Sequence, residues 1–103
     1  MAKDWTDQDI LDVWQRGRIV SGYDKDKYRQ DECGAWIMWI KYGDRSSEFG
    51  WEIDHIISEA NGGKDILSNL RPLQWKNNLD KSDGRLKCNI VANGNHNVDK
   101  VKR

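Results

Sequence analysis

Proline, cysteine and long apolar segments are scarce in this sequence. Its 103 residues include one proline and two cysteines, and no apolar run approaches the roughly 18 residues that a membrane-spanning helix needs. The first five residues, Met-Ala-Lys-Asp-Trp, lack the apolar core of a secretory signal. A chain of this length can build one modest hydrophobic core. We therefore expect a single domain over residues 1–103 that is soluble and cytoplasmic.

An excess of basic charge is also absent. Lys and Arg together number 17, as do Asp and Glu, so the formal net charge is zero. Proteins that bind nucleic acid tightly and without sequence preference normally carry a basic surface. The balance argues against that mode of binding. It leaves DNA docking to a local basic patch or to a partner.

The two cysteines form no C-x-x-C pair. Cys33 and Cys88 cannot build a four-cysteine zinc cluster by themselves. A disulfide between them is open, but the expected cytoplasmic setting favours two reduced thiols.

The N-terminal third predicts a helix followed by a loop. A hydroxyl at Thr6 can cap free helix amides, and the acids at positions 7 and 9 suit the positive end of the helix dipole. Apolar residues at 10, 11, 13 and 14 recur at helical spacing, and Gly17 is expected to end the helix. Its acidic residues are interpreted as a solvated face. Residues 21–32 predict a loop with one helical turn near Tyr28.

Tryptophan is abundant, with six in the chain. The segment from Ala35 to Tyr42 is apolar on both alternating faces, which predicts a strand covered on both sides. Tryptophan can stack on nucleic-acid bases. Six in so small a chain favour instead a core built from a few large side chains.

The stretch from Trp51 to Asp83 predicts two strands and a helix. Alternation from Trp51 gives a strand that ends at Asp54 and His55, and Gly62-Gly63 supplies the backbone freedom for a reversal. A second strand over 70–75 and a helix over about 76–82 would bring Asn78 back over Asp54. Carboxylate and amide oxygens bind hard cations, and histidine titrates near neutral pH, so these residues predict a hydrolytic metal site.

The order of short motifs in this stretch resembles the HNH endonucleases. The motifs are D-H-I at 54–56, G-G at 62–63, N-L at 69–70, P-L at 72–73 and N-x-x-K at 78–81, and they cover about a third of the chain. The resemblance implies an α+β fold: a small single domain with a ββα-metal finger over about 50–83. An N-terminal helix and an additional Trp-rich strand would accompany the finger. We expect a loose tail from about residue 92, with no chemistry at His96.

The resemblance also implies roles for individual residues of a metal-dependent DNA endonuclease. His55 would be the general base that activates water, with Asn69 as a brace for the loop between the strands. Asp54 and Asn78 would hold one Mg²⁺ or Mn²⁺ ion. Two cations, at Lys81 and Arg71, are candidates for binding the phosphate. Asn77 would replace Asn78 as ligand if the register were shifted by one residue, and Lys81 as a solvated helix-face residue remains an alternative.

Many proteins of this family hold a structural zinc between two C-x-x-C pairs. The corresponding places here are Cys33-Gly34-Ala35-Trp36 and Gln74-Trp75-Lys76-Asn77, which keep one cysteine. We therefore expect no structural zinc. Two other functions stay open, a non-catalytic DNA-binding finger and an adaptor that keeps the HNH scaffold for protein contacts. Retention of the three site residues favours the enzyme, and cutting both strands with one such site would favour a homodimer or a larger protein partner.

Overall fold

The computed structural model describes residues 4–81 and 84–101, and it has the expected α+β class. The described residues form a small domain of short helices and three two-stranded antiparallel sheets, with pairs β1–β2, β3–β4 and β5–β6. No helix among them is long and apolar enough to cross a membrane. In chain order the elements are α1 Asp7–Trp14, β1 Tyr28–Gln30, β2 Trp36–Met38, β3 Trp51–His55, β4 Leu70–Gln74, α2 Trp75–Leu79, β5 Ile90–Asn93 and β6 His96–Asp99.

Helix α1 begins as the sequence predicts. The Thr6 hydroxyl accepts a hydrogen bond from the Asp9 amide, and the Asp9 carboxylate accepts one from the Thr6 amide. This reciprocal capping box satisfies two N–H groups that the first helical turn leaves free. The helix buries Val13 and Trp14 against the rest of the domain.

The core is built from large aromatic side chains, which confirms the structural interpretation of the tryptophans. Trp14 and Trp51 are fully buried, and their ring centroids lie 5.3 Å apart. Trp39 packs edge-on against Trp14 at 5.8 Å. The buried cluster consists of Val13, Trp14, Ile37, Trp51 and Leu70. Few residues therefore supply most of the apolar area that stabilises this small domain.

The segment before β3 agrees with one prediction and differs from another. The turn expected near Tyr28 is present, because the Tyr28 amide donates to the Asp24 carbonyl at 2.8 Å, and Tyr28 itself begins β1, which pairs with β2 in the register Tyr28↔Met38. That pairing ends at Met38, so the expected strand over 35–42 ends there too, and Trp39–Lys41 form a 3-10 turn. Ile40 is consequently 74% exposed.

The C-terminal segment is a hairpin, whereas the sequence predicted a loose tail from about residue 92. Strands β5 and β6 pair in the register Ile90↔Asp99. The Asn97 amide donates to the backbone carbonyls of Trp36 and Glu48, which fixes the hairpin on β2 and the loop before β3. Local composition is polar, so hydrophobic patterning gave no signal for this docking.

A disulfide joins Cys33 to Cys88, and the expectation of two reduced thiols was therefore wrong. The bond ties the turn after β1 to the chain just before β5. The expectation relied on cellular setting, which carries no information about which residues the fold brings together.

A buried carboxylate connects the turn after β1 to the finger. Asp31 is 1% exposed and accepts four hydrogen bonds, from the amides of Cys33, Ala35 and Gln74 and from the side chain of Asn77. Burial raises the pKa of the Asp31 carboxyl above its ordinary value, and the four N–H donors oppose that shift. Asn77 extends the connection to β5, because its amide exchanges two hydrogen bonds with the backbone of Ile90.

We expect Asp31→Asn to lower the free energy of unfolding by about 3 kcal/mol. An amide can accept on one side only, so two of the four buried N–H donors would face another donor, at roughly 1–3 kcal/mol each. Urea denaturation would measure the loss, with the neighbouring exposed Glu32→Gln as a control expected to change stability by less than about 1 kcal/mol. Equal stability of Asp31→Asn and the wild type would show that this carboxylate does not hold the two parts together.

Candidate active site

The β3–β4 hairpin places Asp54 and His55 side by side near the end of β3. Their cross-strand partners are Arg71 and Leu70. Asp54 is buried, His55 is half-buried, and the two side chains have different partners. Asp54 contacts Lys81 at the end of the finger, whereas the His55 ring lies 6.0 Å from the ring of Trp5.

Asp54 is buried between two cations. It is 5% exposed, and its Oδ1 accepts from Lys81 Nζ at 2.6 Å while its Oδ2 accepts from Arg71 Nε at 2.8 Å. Lys81 Nζ also donates to the His55 carbonyl at 3.1 Å, and Arg71 Nη1 lies 3.5 Å from a Glu32 oxygen. Both residues that the sequence suggested for phosphate are therefore next to Asp54. A buried carboxylate needs such partners, because an uncompensated one would be strongly destabilising.

The side-chain partner of Asn78 is Glu52, which lies two residues before Asp54 in β3, and not Asp54 itself. Asn78 Nδ2 donates to Glu52 Oε1 at 2.8 Å, and Glu52 also accepts two hydrogen bonds from the guanidinium of Arg45, at 2.7 and 3.0 Å. Burial raises the pKa of Glu52, but the hydrogen bonds from Arg45 and Asn78 outweigh it and leave the pKa below its ordinary value. Within residues 4–81 and 84–101, no donor reaches Asn78 Oδ1, so that oxygen is available as a ligand.

The neighbouring Asn77 is committed to the interior. It is 1% exposed, and its side chain donates to Asp31 and to the Ile90 carbonyl while accepting from the Ile90 amide. The Asn77 Oδ1 that a metal ion would need already accepts from the Ile90 amide inside the core. The alternative register, with Asn77 as ligand, does not fit this arrangement.

His55 is oriented by a carboxylate from the loop that follows β3. Its Nε2 lies 2.6 Å from Asp65 Oδ1, and its side chain is 13% exposed. A carboxylate can only accept, so in the neutral ring this contact favours the tautomer with the proton on Nε2 and the lone pair on Nδ1. A histidine held in one tautomer by an acid is the pairing that general bases use.

Asn69 ties down that loop. Its Oδ1 accepts from the Ile57 amide at 2.8 Å, and its Nδ2 donates to the carbonyls of Ile57 and Lys64, both at 3.0 Å. The loop also requires Gly63, because a Cβ there would lie 1.7 Å from the Ile57 carbonyl oxygen. The side chain thus spans both ends of the segment that carries Asp65.

Sequence reasoning missed Glu52 and Asp65. The signal for Glu52 was present, since it lies two residues before Asp54 and so shares its face of β3. For Asp65 there was none, because its approach to His55 depends on how the braced loop folds back. The loop carries a second acid, Glu59. The ligand atoms of His55, Glu59 and Asp65 all lie within 4.8 Å of one another.

The donor set beside α2 suits a hard divalent cation. A carboxylate at Asp54 and an amide oxygen at Asn78 are ligands of the type that Mg²⁺ and Mn²⁺ prefer. The Lys81 ammonium against Asp54 shows in addition that a positive charge is accepted at this position. On both counts these residues fit such an ion.

The β3–β4 hairpin and helix α2 carry a histidine paired with an acid, and a carboxylate and an amide with separate partners. Residues 43–84 match the HNH endonuclease family, which confirms the resemblance that the motifs indicated. The match covers this segment, which is less than half of the chain. No curated protein and no solved structure matches the chain.

We expect Lys81→Gln to bind Mg²⁺ more tightly than the wild type, by about tenfold. The Lys81 ammonium lies where a cation on Asp54 Oδ1 would lie, and like charges a few ångströms apart repel by several kcal/mol at intermediate dielectric. Calorimetric Mg²⁺ titration would give the affinity. The rise of the melting temperature with added Mg²⁺ should also be larger in the variant.

Lys76→Gln is the matched control for this measurement, because Lys76 belongs to α2 but its ammonium lies 3.9 Å from Asp99. It should leave Mg²⁺ affinity unchanged. Weaker or equal binding by Lys81→Gln would mean that the lysine and the ion do not compete for Asp54.

Proposed function

We propose that this protein is a metal-dependent DNA endonuclease. The observation that carries the proposal is the oriented base: His55 is held by Asp65 at 2.6 Å and follows directly after the buried Asp54 in β3. The match of residues 43–84 to the HNH endonuclease family supports the same reaction class.

In this proposal, β3, β4 and α2 act as a ββα-metal finger. His55 Nδ1 takes the proton from the attacking water, while Asp65 fixes the ring and stabilises the charge that it gains. Asp54 and Asn78 hold Mg²⁺ or Mn²⁺, with Glu52 orienting the Asn78 amide. The bound ion supplies charge stabilisation at the phosphate and the leaving oxygen.

The remaining residues of the site position the substrate and the base. Lys81 and Arg71 lie close enough to Asp54 to contact a phosphate at the same place. Asn69 acts through structure, because it braces the loop that presents Asp65. Cutting of both strands would favour a homodimer or a larger protein partner, since the proposal gives residues 4–81 and 84–101 one such site.

The direct test is incubation of the purified protein with supercoiled plasmid, with and without Mg²⁺ or Mn²⁺. We expect nicked or linear DNA only with the ion, and none when EDTA is added, because the oxygen ligands suit hard cations. DNA binding that is equal with and without the ion and is never followed by cleavage would favour a non-catalytic finger. No DNA binding under either condition would favour an adaptor.

Substitutions separate the base from the metal ligands. His55→Ala should lower the single-turnover cleavage rate by about 10²–10⁴-fold, or roughly 2.7–5.5 kcal/mol, while leaving Mg²⁺ affinity near that of the wild type. Asp54→Asn and Asn78→Ala should instead weaken Mg²⁺ binding, since each alters one of few oxygen ligands. Calorimetry alongside single-turnover cleavage makes this comparison.

Asn69→Ala should fall into neither group. It should lower the melting temperature and leave partial activity, because it leaves the Ile57 amide without its buried acceptor. The assignment would be wrong if His55→Ala abolished Mg²⁺ binding. It would also be wrong if Asn78→Ala changed neither affinity nor rate.

A further inference from the structure

We propose a second cation site, formed by His55, Glu59 and Asp65, that takes Zn²⁺-like ions and switches off the base. The inference rests on the proposed function for the role of His55. Its own observation is the group of three donor atoms, all within 4.8 Å of one another, none of which belongs to the Asp54 cluster.

The spacing of the donors is suitable for a four-coordinate ion. Zn²⁺ binds nitrogen and oxygen ligands at roughly 2.0–2.2 Å, so neighbouring donors of a tetrahedral site lie about 3.3 Å apart. His55 Nε2 and Asp65 Oδ1 are now 2.6 Å apart as a hydrogen-bonded pair, and the whole group spans at most 4.8 Å. Side-chain rotations alone can bring the three atoms to the required separation, because both acids are on the surface. The fourth position remains for water.

The loop presents its two acids from a fixed backbone. Glu59 begins the 3-10 turn Glu59–Asn61, and the Gly63 amide donates to the Ser58 carbonyl. Asn69 holds the backbone at Ile57, before Glu59, and at Lys64, directly before Asp65. Little backbone entropy would therefore be lost when an ion binds.

The two sites differ in the ions they prefer. Imidazole is a good ligand for Zn²⁺, Co²⁺ and Ni²⁺, whereas a set of carboxylate and amide oxygens suits Mg²⁺ and Mn²⁺. His55 belongs to the first set only, and Asp54 and Asn78 to the second. Zn²⁺ should therefore prefer the group at His55 to the oxygen pair of Asp54 and Asn78.

Occupancy at His55 removes the base by changing its tautomer. An ion on Nε2 takes the lone pair of that atom, and the one proton of the neutral ring moves to Nδ1. Nδ1 then has no lone pair to accept a proton from water. Zn²⁺ should inhibit cleavage while Mg²⁺ affinity is retained.

Zinc binding can be measured without DNA. We expect calorimetry on the EDTA-treated, dialysed protein to find one Zn²⁺ per chain, and Co²⁺ in its place to give visible absorption of a four-coordinate site. Glu59→Gln and Asp65→Asn should each weaken Zn²⁺ binding by at least about tenfold. His96→Gln is the matched control, because the chain has two histidines and His96 lies near Glu48, outside this group. It should bind Zn²⁺ as the wild type does.

Two further measurements identify which histidine holds the ion and whether the fold needs it. Long-range ¹H–¹⁵N spectra of the histidine rings should show Zn²⁺ shifting the Nε2 signal of His55 and not the ring of His96. Melting curves should show that EDTA leaves the protein folded, which separates this site from a structural zinc. Binding that survives both acidic substitutions, or that is lost in His96→Gln, would overturn the proposal, as would the absence of any Zn²⁺ binding.

Inhibition is tested separately from binding. If plasmid is cleaved with Mg²⁺, saturating Zn²⁺ should slow the wild type by more than about tenfold. The ratio of rates with and without Zn²⁺ should be closer to one in Glu59→Gln. Zn²⁺ binding as described without any DNA cleavage would contradict the proposed nuclease function and support the zinc site. Equal inhibition of the wild type and Glu59→Gln by Zn²⁺ would contradict the proposal that zinc switches off the base.

Discussion

The buried carboxylate of Asp31 is the interaction on which the geometry of the finger depends. It receives hydrogen bonds from the turn after β1, from the Gln74 amide at the end of β4 and from the Asn77 side chain in α2. These contacts fix the start of α2 on the rest of the domain. Since Asn78 directly follows Asn77, the placement of this proposed metal ligand depends on a carboxylate to which the proposal gives no chemical role.

This hydrogen-bonded joint includes Gln74 and Asn77, which stand in one of the two places where the resemblance to the HNH endonucleases implied a C-x-x-C pair. Gln74 occupies the place of a first cysteine, and its Oε1 accepts from the amides of Lys76 and Asn77 at the start of α2. A zinc site connects two turns through bonds to one ion, whereas here Asp31 connects them through N–H donors on both sides. The disulfide between Cys33 and Cys88 adds a covalent tie at the same turn. Burying the carboxylate costs desolvation free energy, which four donors offset.

Sequence alone predicted the finger and its neighbour α1 because their signals are local. Alternation from Trp51, the glycine pair and the Thr6 cap each act within a few residues. The Cys33–Cys88 bond, the docking of the 90–99 hairpin and the approach of Asp65 to His55 depend on segments far apart in sequence or on a loop conformation. Polar side chains such as Asn97 make those contacts, and polar residues carry no periodic signal. The sequence thus indicated candidate ligands but not the contacts that surround them.

The proposed function requires a chain with no net charge to bind a DNA phosphate. Charge pairing at the site bears on how it could do so. The carboxylates of Asp54 and Glu32 face the cations of Lys81 and Arg71, so the cluster sums to zero as the whole chain does. A divalent ion held by Asp54 and Asn78 would raise that sum to plus two at the point where the phosphate must lie. The attraction for DNA at this place would then come from the ion itself. DNA binding and catalysis would then both require the divalent ion. Without it, the neutral surface would have little affinity for the phosphate backbone of nucleic acid.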